Sequence, residues 1–127
     1  MIDPKEIELA MSAHGAWKTR LKNAITSGKM DAPINVIESD NQCVFGKWLY
    51  GPTLTASEKT TATYAEIKRL HAEFHKCAAR VAELAAEGKK AEAMGILEGN
   101  GLYSTVSGKL VLALMQWKQA IGQPVAR

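Results

Sequence analysis

A chain of 127 residues can form one domain with a buried core, and 46% apolar against 23% charged residues is the balance of an ordinary globular protein. A formal net charge of +3 with aromatic residues at 6% supplies neither the basic track nor the stacking platform of a nucleic-acid binder. No run of about 18 apolar residues argues for a membrane span, and residues 1–15 lack the basic-then-apolar order of a signal peptide. Two cysteines cannot build a disulfide framework, so a reducing, cytoplasmic setting is expected.

The first helix is predicted from about Pro4 to Thr26, with Asp3 as cap and Pro4 at the first helical position. Ile7, Ala10, Ala13, His14, Trp17, Leu21 and Ala24 recur at steps of three and four and define its apolar face. Residues 28–39 read as a loop. Asp40 then reads as the cap of a short helix through Cys43, Phe45, Trp48 and Leu49, stopped by Gly51-Pro52. The longest helix should run from a Ser57 cap to about Glu87. Its stripe is Ile67, Leu70, Phe74, Ala78, Val81, Leu84 and Ala85, and Gly88 closes it. A fourth segment, about Lys89 to Ile121, is broken at Gly99-Asn100-Gly101. The apolar face before the break (Met94, Leu97) is out of register with the face after it (Leu102, Val106, Leu110, Leu114, Trp117, Ile121). No strand pattern occurs. The fold expected is a single all-α domain over residues 1–127, an up-down four-helix-type bundle with a short extra helix.

The chain holds three histidines and two cysteines. His71 and His75 lie one turn apart on a helix, so both rings share a face and can bind one ion. Taken alone, such a pair is more often two partly buried histidines bonded to backbone or carboxylate groups. His14 lies on the apolar face of the first helix, and antiparallel packing of the first and longest helices would carry it toward the pair. Cys43, at the start of a short helix, is favoured as thiolate, the form that binds metal. Three imidazoles and one thiolate suit tetrahedral zinc. Such a centre keeps a charge of about +1 and invites carboxylates to receive the spare ring N–H groups, with Glu38, Asp40 and Glu73 as candidates. Cys77, two residues past His75, points away from the pair and is read as a non-ligand. A Cys43–Cys77 disulfide is the redox alternative.

At these residues the chain resembles the chemoreceptor zinc-binding (CZB) domain family of bacterial signalling proteins. The resemblance rests on His14 with Trp17, on Cys43-Val44-Phe45-Gly46-Lys47-Trp48, and on His71-Ala72-Glu73-Phe74-His75, and it spans roughly residues 7 to 118. It implies a helical bundle holding one zinc ion on His14, Cys43, His71 and His75. It also implies a homodimer working with a chemoreceptor signalling region or a diguanylate cyclase domain, fused or separate. The signal would be zinc level or oxidation of the zinc-bound cysteine, for example by hypochlorous acid. Catalysis is not expected. Four ligands leave no open position for water, no HExxH base is present, and neither helical histidine has the Glu three residues earlier that a di-iron bundle uses. The competing reading is a structural helical dimerisation module whose histidines are incidental.

Overall fold

A computed structural model describes residues 4–122 except residues 31, 40, 42, 53 and 100, with the side chains of Pro4, His14, Val44 and Ile121 outside that description. The expected caps Asp3 and Asp40 therefore lie outside the described residues. The expected all-helical architecture is observed, and no strand occurs among the described residues. In chain order the helices are α1 Pro4–Ser27, α2 Ile34–Glu38, α3 Val44–Tyr50, α4 Ala62–Ala86, α5 Lys90–Leu97 and α6 Leu102–Gly122, with a 3-10 turn at Glu58–Thr60 ahead of α4. None of the described helices is long and apolar enough to cross a membrane.

Local chemistry sets the boundaries. Gly28 ends α1 at φ 77°, with its N–H donating to the Ala24 carbonyl at 2.7 Å. Thr61, rather than the expected Ser57, caps α4; its hydroxyl accepts from the Tyr64 N–H at 3.2 Å. At the far end Gly88 takes φ 76° and donates to Ala85, while the Lys89 N–H reaches back to the Leu84 carbonyl at 2.9 Å. Those two bonds satisfy the last carbonyls of α4.

The long helices run up and down. Glu8, early in α1, pairs with Lys118, late in α6, at 2.6 Å, and Lys22, late in α1, pairs with Glu98, just ahead of α6, at 2.8 Å. α1 and α6 are therefore antiparallel. Ala62 and Glu66, at the start of α4, share a cleft with Ala113 and Gln116, while Phe74, farther along, packs on Tyr103 at the start of α6 with ring centroids 5.2 Å apart. α4 thus also opposes α6, so α1 and α4 run in the same direction. This corrects the expected antiparallel pairing of the first and longest helices. The returning leg between them is residues 28–61, broken into short helices.

The stripe of α4 forms the centre of the core, with Ile67, Leu70, Phe74, Ala78, Val81, Leu84 and Ala85 all buried. Ile7, Leu21 and Ala24 of α1 and Val106, Leu110, Leu114 and Trp117 of α6 close on it. Three expected core positions fail. Ala13 is exposed, Met94 is 37% exposed and Leu102 is 61% exposed. In α5 the buried pair is Ala93 and Leu97, and at the start of α6 the buried residue is Tyr103. The break at Gly99, with φ 62°, rotates the two faces independently.

Candidate metal centre

α4 presents His71 and His75 inward, at 4% and 2% exposure, so they belong to the core rather than to its rim. The two rings lie edge to face with centroids 4.6 Å apart. Phe45 of α3 abuts His71 at 5.1 Å, and Trp17 of α1 and Phe74 abut His75 at 5.8 and 5.5 Å. These aromatic walls hold both imidazoles in place and exclude water on those sides.

Cys43 stands at the N-cap of α3, not inside it. Its backbone is extended (φ −81°, ψ 164°), and its sulfur accepts the Gly46 N–H at 3.3 Å. That bond favours the thiolate over the thiol. The capping geometry turns the sulfur back toward α4, 3.4 Å from His71 Nε2 and 3.5 Å from His75 Nε2, and the two Nε2 atoms lie 3.1 Å apart. Zn–S near 2.3 Å and Zn–N near 2.05 Å at tetrahedral angles correspond to S···N edges of about 3.6 Å and an N···N edge of about 3.3 Å. The observed triangle of donors matches three vertices of such a tetrahedron to within a few tenths of an ångström.

The protonation pattern agrees. His75 Nδ1 lies 2.8 Å from the carbonyl oxygen of Ile37 in α2, and a carbonyl only accepts, so Nδ1 carries the proton. Nε2 is then left with its lone pair aimed at Cys43 and His71, the tautomer that ligates metal. Two of the expected carboxylate partners do not fill this role. Glu73 is drawn outward to Arg69 at 2.8 Å, Glu38 is exposed, and Asp40 lies outside the described residues. The Ile37 carbonyl was out of reach of sequence reasoning, because a backbone acceptor has no side-chain signature.

Cys43, His71 and His75 form the cluster of possible ligands among the described residues, and Cys77 is not part of it. Neither cysteine is in a disulfide. Burial, aided by the nearby Glu73 carboxylate, raises the Cys77 thiol above its ordinary range and keeps it protonated. The helix of His14 is placed, but its side chain lies outside the description. Over the cluster sits a cavity of about 420 Å³, with Cys43, His71 and His75 in its lining together with Ala10, Ala13, Ala16 and Trp17 of α1.

The sequence profile of the chemoreceptor zinc-binding domain matches residues 14–82, a span that contains Cys43, His71 and His75 and begins at His14. Comparison with curated proteins and with solved structures returned no match. The profile covers more than half of the chain, and within it a cysteine sulfur and two imidazoles lie at zinc-compatible spacing; the chain belongs to the chemoreceptor zinc-binding domain family.

Proposed function

We propose that this chain is a zinc-binding sensory domain of bacterial signalling, with one zinc ion per chain held by His14, Cys43, His71 and His75. The carrying observation is the triangle of Cys43 Sγ and two Nε2 atoms at tetrahedral edge lengths, with His75 already in the ligating tautomer. For the fourth ligand, support comes from register. Position 14 is one turn along α1 from both Ala10 and Trp17, and those two residues line the cavity over the cluster. Bound zinc would supply a cross-link between the short-helix leg and the long helices, not a catalytic Lewis acid.

Cys43 is the described ligand that α4 does not carry. It sits at the tip of a seven-residue helix, so loss of its bond removes the metal tether at the start of α3 and leaves that helix held by buried Phe45 and Leu49, while α4 stays packed. The cue is either zinc level or oxidation of Cys43. In the second case the thiolate takes oxygen from hypochlorous acid, giving sulfenic acid and releasing chloride. The response passes to a chemoreceptor signalling region or a diguanylate cyclase domain, fused or separate, with the chain acting as a homodimer.

The test is metal analysis of untagged protein together with zinc-edge X-ray absorption. One zinc per chain in a shell of three nitrogens and one sulfur is expected. The sulfur should vanish in Cys43→Ser and one nitrogen in His14→Ala. Absence of zinc after its addition would favour a plain dimerisation module.

A further inference from the structure

The cavity over the cluster is larger than a metal ion and its ligands require. At about 420 Å³ it falls in the size range of small-molecule sites. Its walls are apolar: Leu9, Ala10 and Ala13 of α1, Val36 of α2, and Leu110 and Leu114 of α6. Among the described residues the charged ones in its lining are Glu6 and Arg20, and Arg20 is stacked on Trp17 at 3.9 Å. Its floor holds a nucleophile, the half-buried sulfur of Cys43.

We propose that this cavity receives compact, uncharged, apolar electrophiles of the α,β-unsaturated carbonyl class and that Cys43 captures them covalently. The inference shares with the reading above only the residue Cys43, whose half-buried sulfur lies in the lining of the cavity. The Cys43 sulfur bonds to the β-carbon of the electrophile, and the π pair of its C=C bond shifts toward the carbonyl. The α-carbon then takes a proton from water to replace the one the thiol gave up. The net change is addition of S–H across C=C, with nothing oxidised or reduced. Apolar walls select the neutral reagent, because a charged one must shed its hydration to reach the sulfur. Long-range attraction works the other way. A net charge of +3 favours anions, so a preference for the neutral reagent has to come from the cavity.

The experiment uses the full chain as purified, in a Cys77→Ala background, followed by intact-mass spectrometry. Rates of addition of N-ethylmaleimide and of its anionic analogue N-(2-carboxyethyl)maleimide are each divided by the rate with 2-mercaptoethanol. The neutral-to-anionic ratio at Cys43 should exceed that of the small thiol about tenfold or more. Ala13→Leu adds bulk at an exposed rim position, where the helix tolerates it, and should slow N-ethylmaleimide about fivefold with zinc content unchanged. Ala16→Leu, also exposed, is the second rim variant. A ratio equal to that of 2-mercaptoethanol, rates unmoved by both rim variants, or no addition at Cys43 would each overturn the proposal. Zinc content in the same preparations reports on the metal reading separately. Zinc-free protein that keeps the neutral preference would sink the zinc reading and leave this site standing.

Discussion

His75 shows how one backbone oxygen decides a side chain's chemistry. Because the Ile37 carbonyl fixes the proton on Nδ1, Nε2 needs no tautomer change to bind metal. Replacing His71 or His75 with Ala, or Cys43 with Ser, should therefore weaken zinc by more than the roughly 10–100-fold that loss of an outer partner costs. Competition with a chromogenic chelator reads this directly, and unchanged affinity in any one variant removes that residue from the shell. The ligand types and the four-residue spacing were legible in the sequence because they are side-chain facts. The Ile37 oxygen, and the outward pull of Arg69 on Glu73, depend on where the backbone goes and were not. Tyr103 makes the opposite case. It is buried, and its hydroxyl has no hydrogen-bond partner among the described residues. Burying such a group costs about 1–3 kcal/mol. Tyr103→Phe should thus be neutral or raise stability by about 1 kcal/mol in urea unfolding; a clear loss would mean the hydroxyl is satisfied.

At the scale of elements, the long helices were legible and the short ones only in part. α4 announces itself through seven apolar positions at helical spacing and a terminal glycine. α2 has five residues, too few for a period, and Pro33 precedes it with no side-chain cap bond, so its segment reads as loop. α3 was expected, but its cap was assigned to Asp40, since cysteine is not among the usual capping residues. The structure gives that task to Cys43, which couples the start of α3 to the metal centre. Two substitutions test these assignments. Thr61→Ala removes the bond to the Tyr64 N–H and should lower stability by about 1 kcal/mol. Gly101→Ala should cost more. A Cβ there would lie 2.2 Å from the Ile96 carbonyl oxygen and 2.3 Å from that of Gly95, forcing α5 and α6 apart. A lowered thermal midpoint with zinc content retained is the outcome expected for both.

For the whole molecule, pH and metal act on the folding equilibrium through groups distributed over the core. Burial raises Cys77, Tyr64 and Tyr103 above their ordinary ranges. The folded chain therefore holds protons that the unfolded chain releases from about pH 8.5 for the thiol and about pH 10 for the phenols. In that window the folded state binds more protons, so stability falls as pH rises. The contribution is complete below pH 8.5 and is lost going upward. Urea midpoints should decline across this range, and Cys77→Ala combined with Tyr103→Phe should flatten the decline. A slope unchanged in that double variant would assign it elsewhere. Zinc acts on the same equilibrium from the other side. Ligands drawn from α4 and from the leg carrying α3 meet only when the chain is folded, so zinc binds the native state preferentially. Free zinc at about 100 times its dissociation constant should add about 2.7 kcal/mol, seen as a thermal midpoint several degrees higher that a chelator reverses. In Cys43→Ser, the midpoint should respond weakly to zinc and the metal-free value should stay near that of the wild type, because Cys43 is only half-buried and α4 keeps its core contacts. A metal-free midpoint that collapses in Cys43→Ala but holds in Cys43→Ser, whose hydroxyl can still accept the Gly46 N–H, would instead make Cys43 a structural cap first and a ligand second.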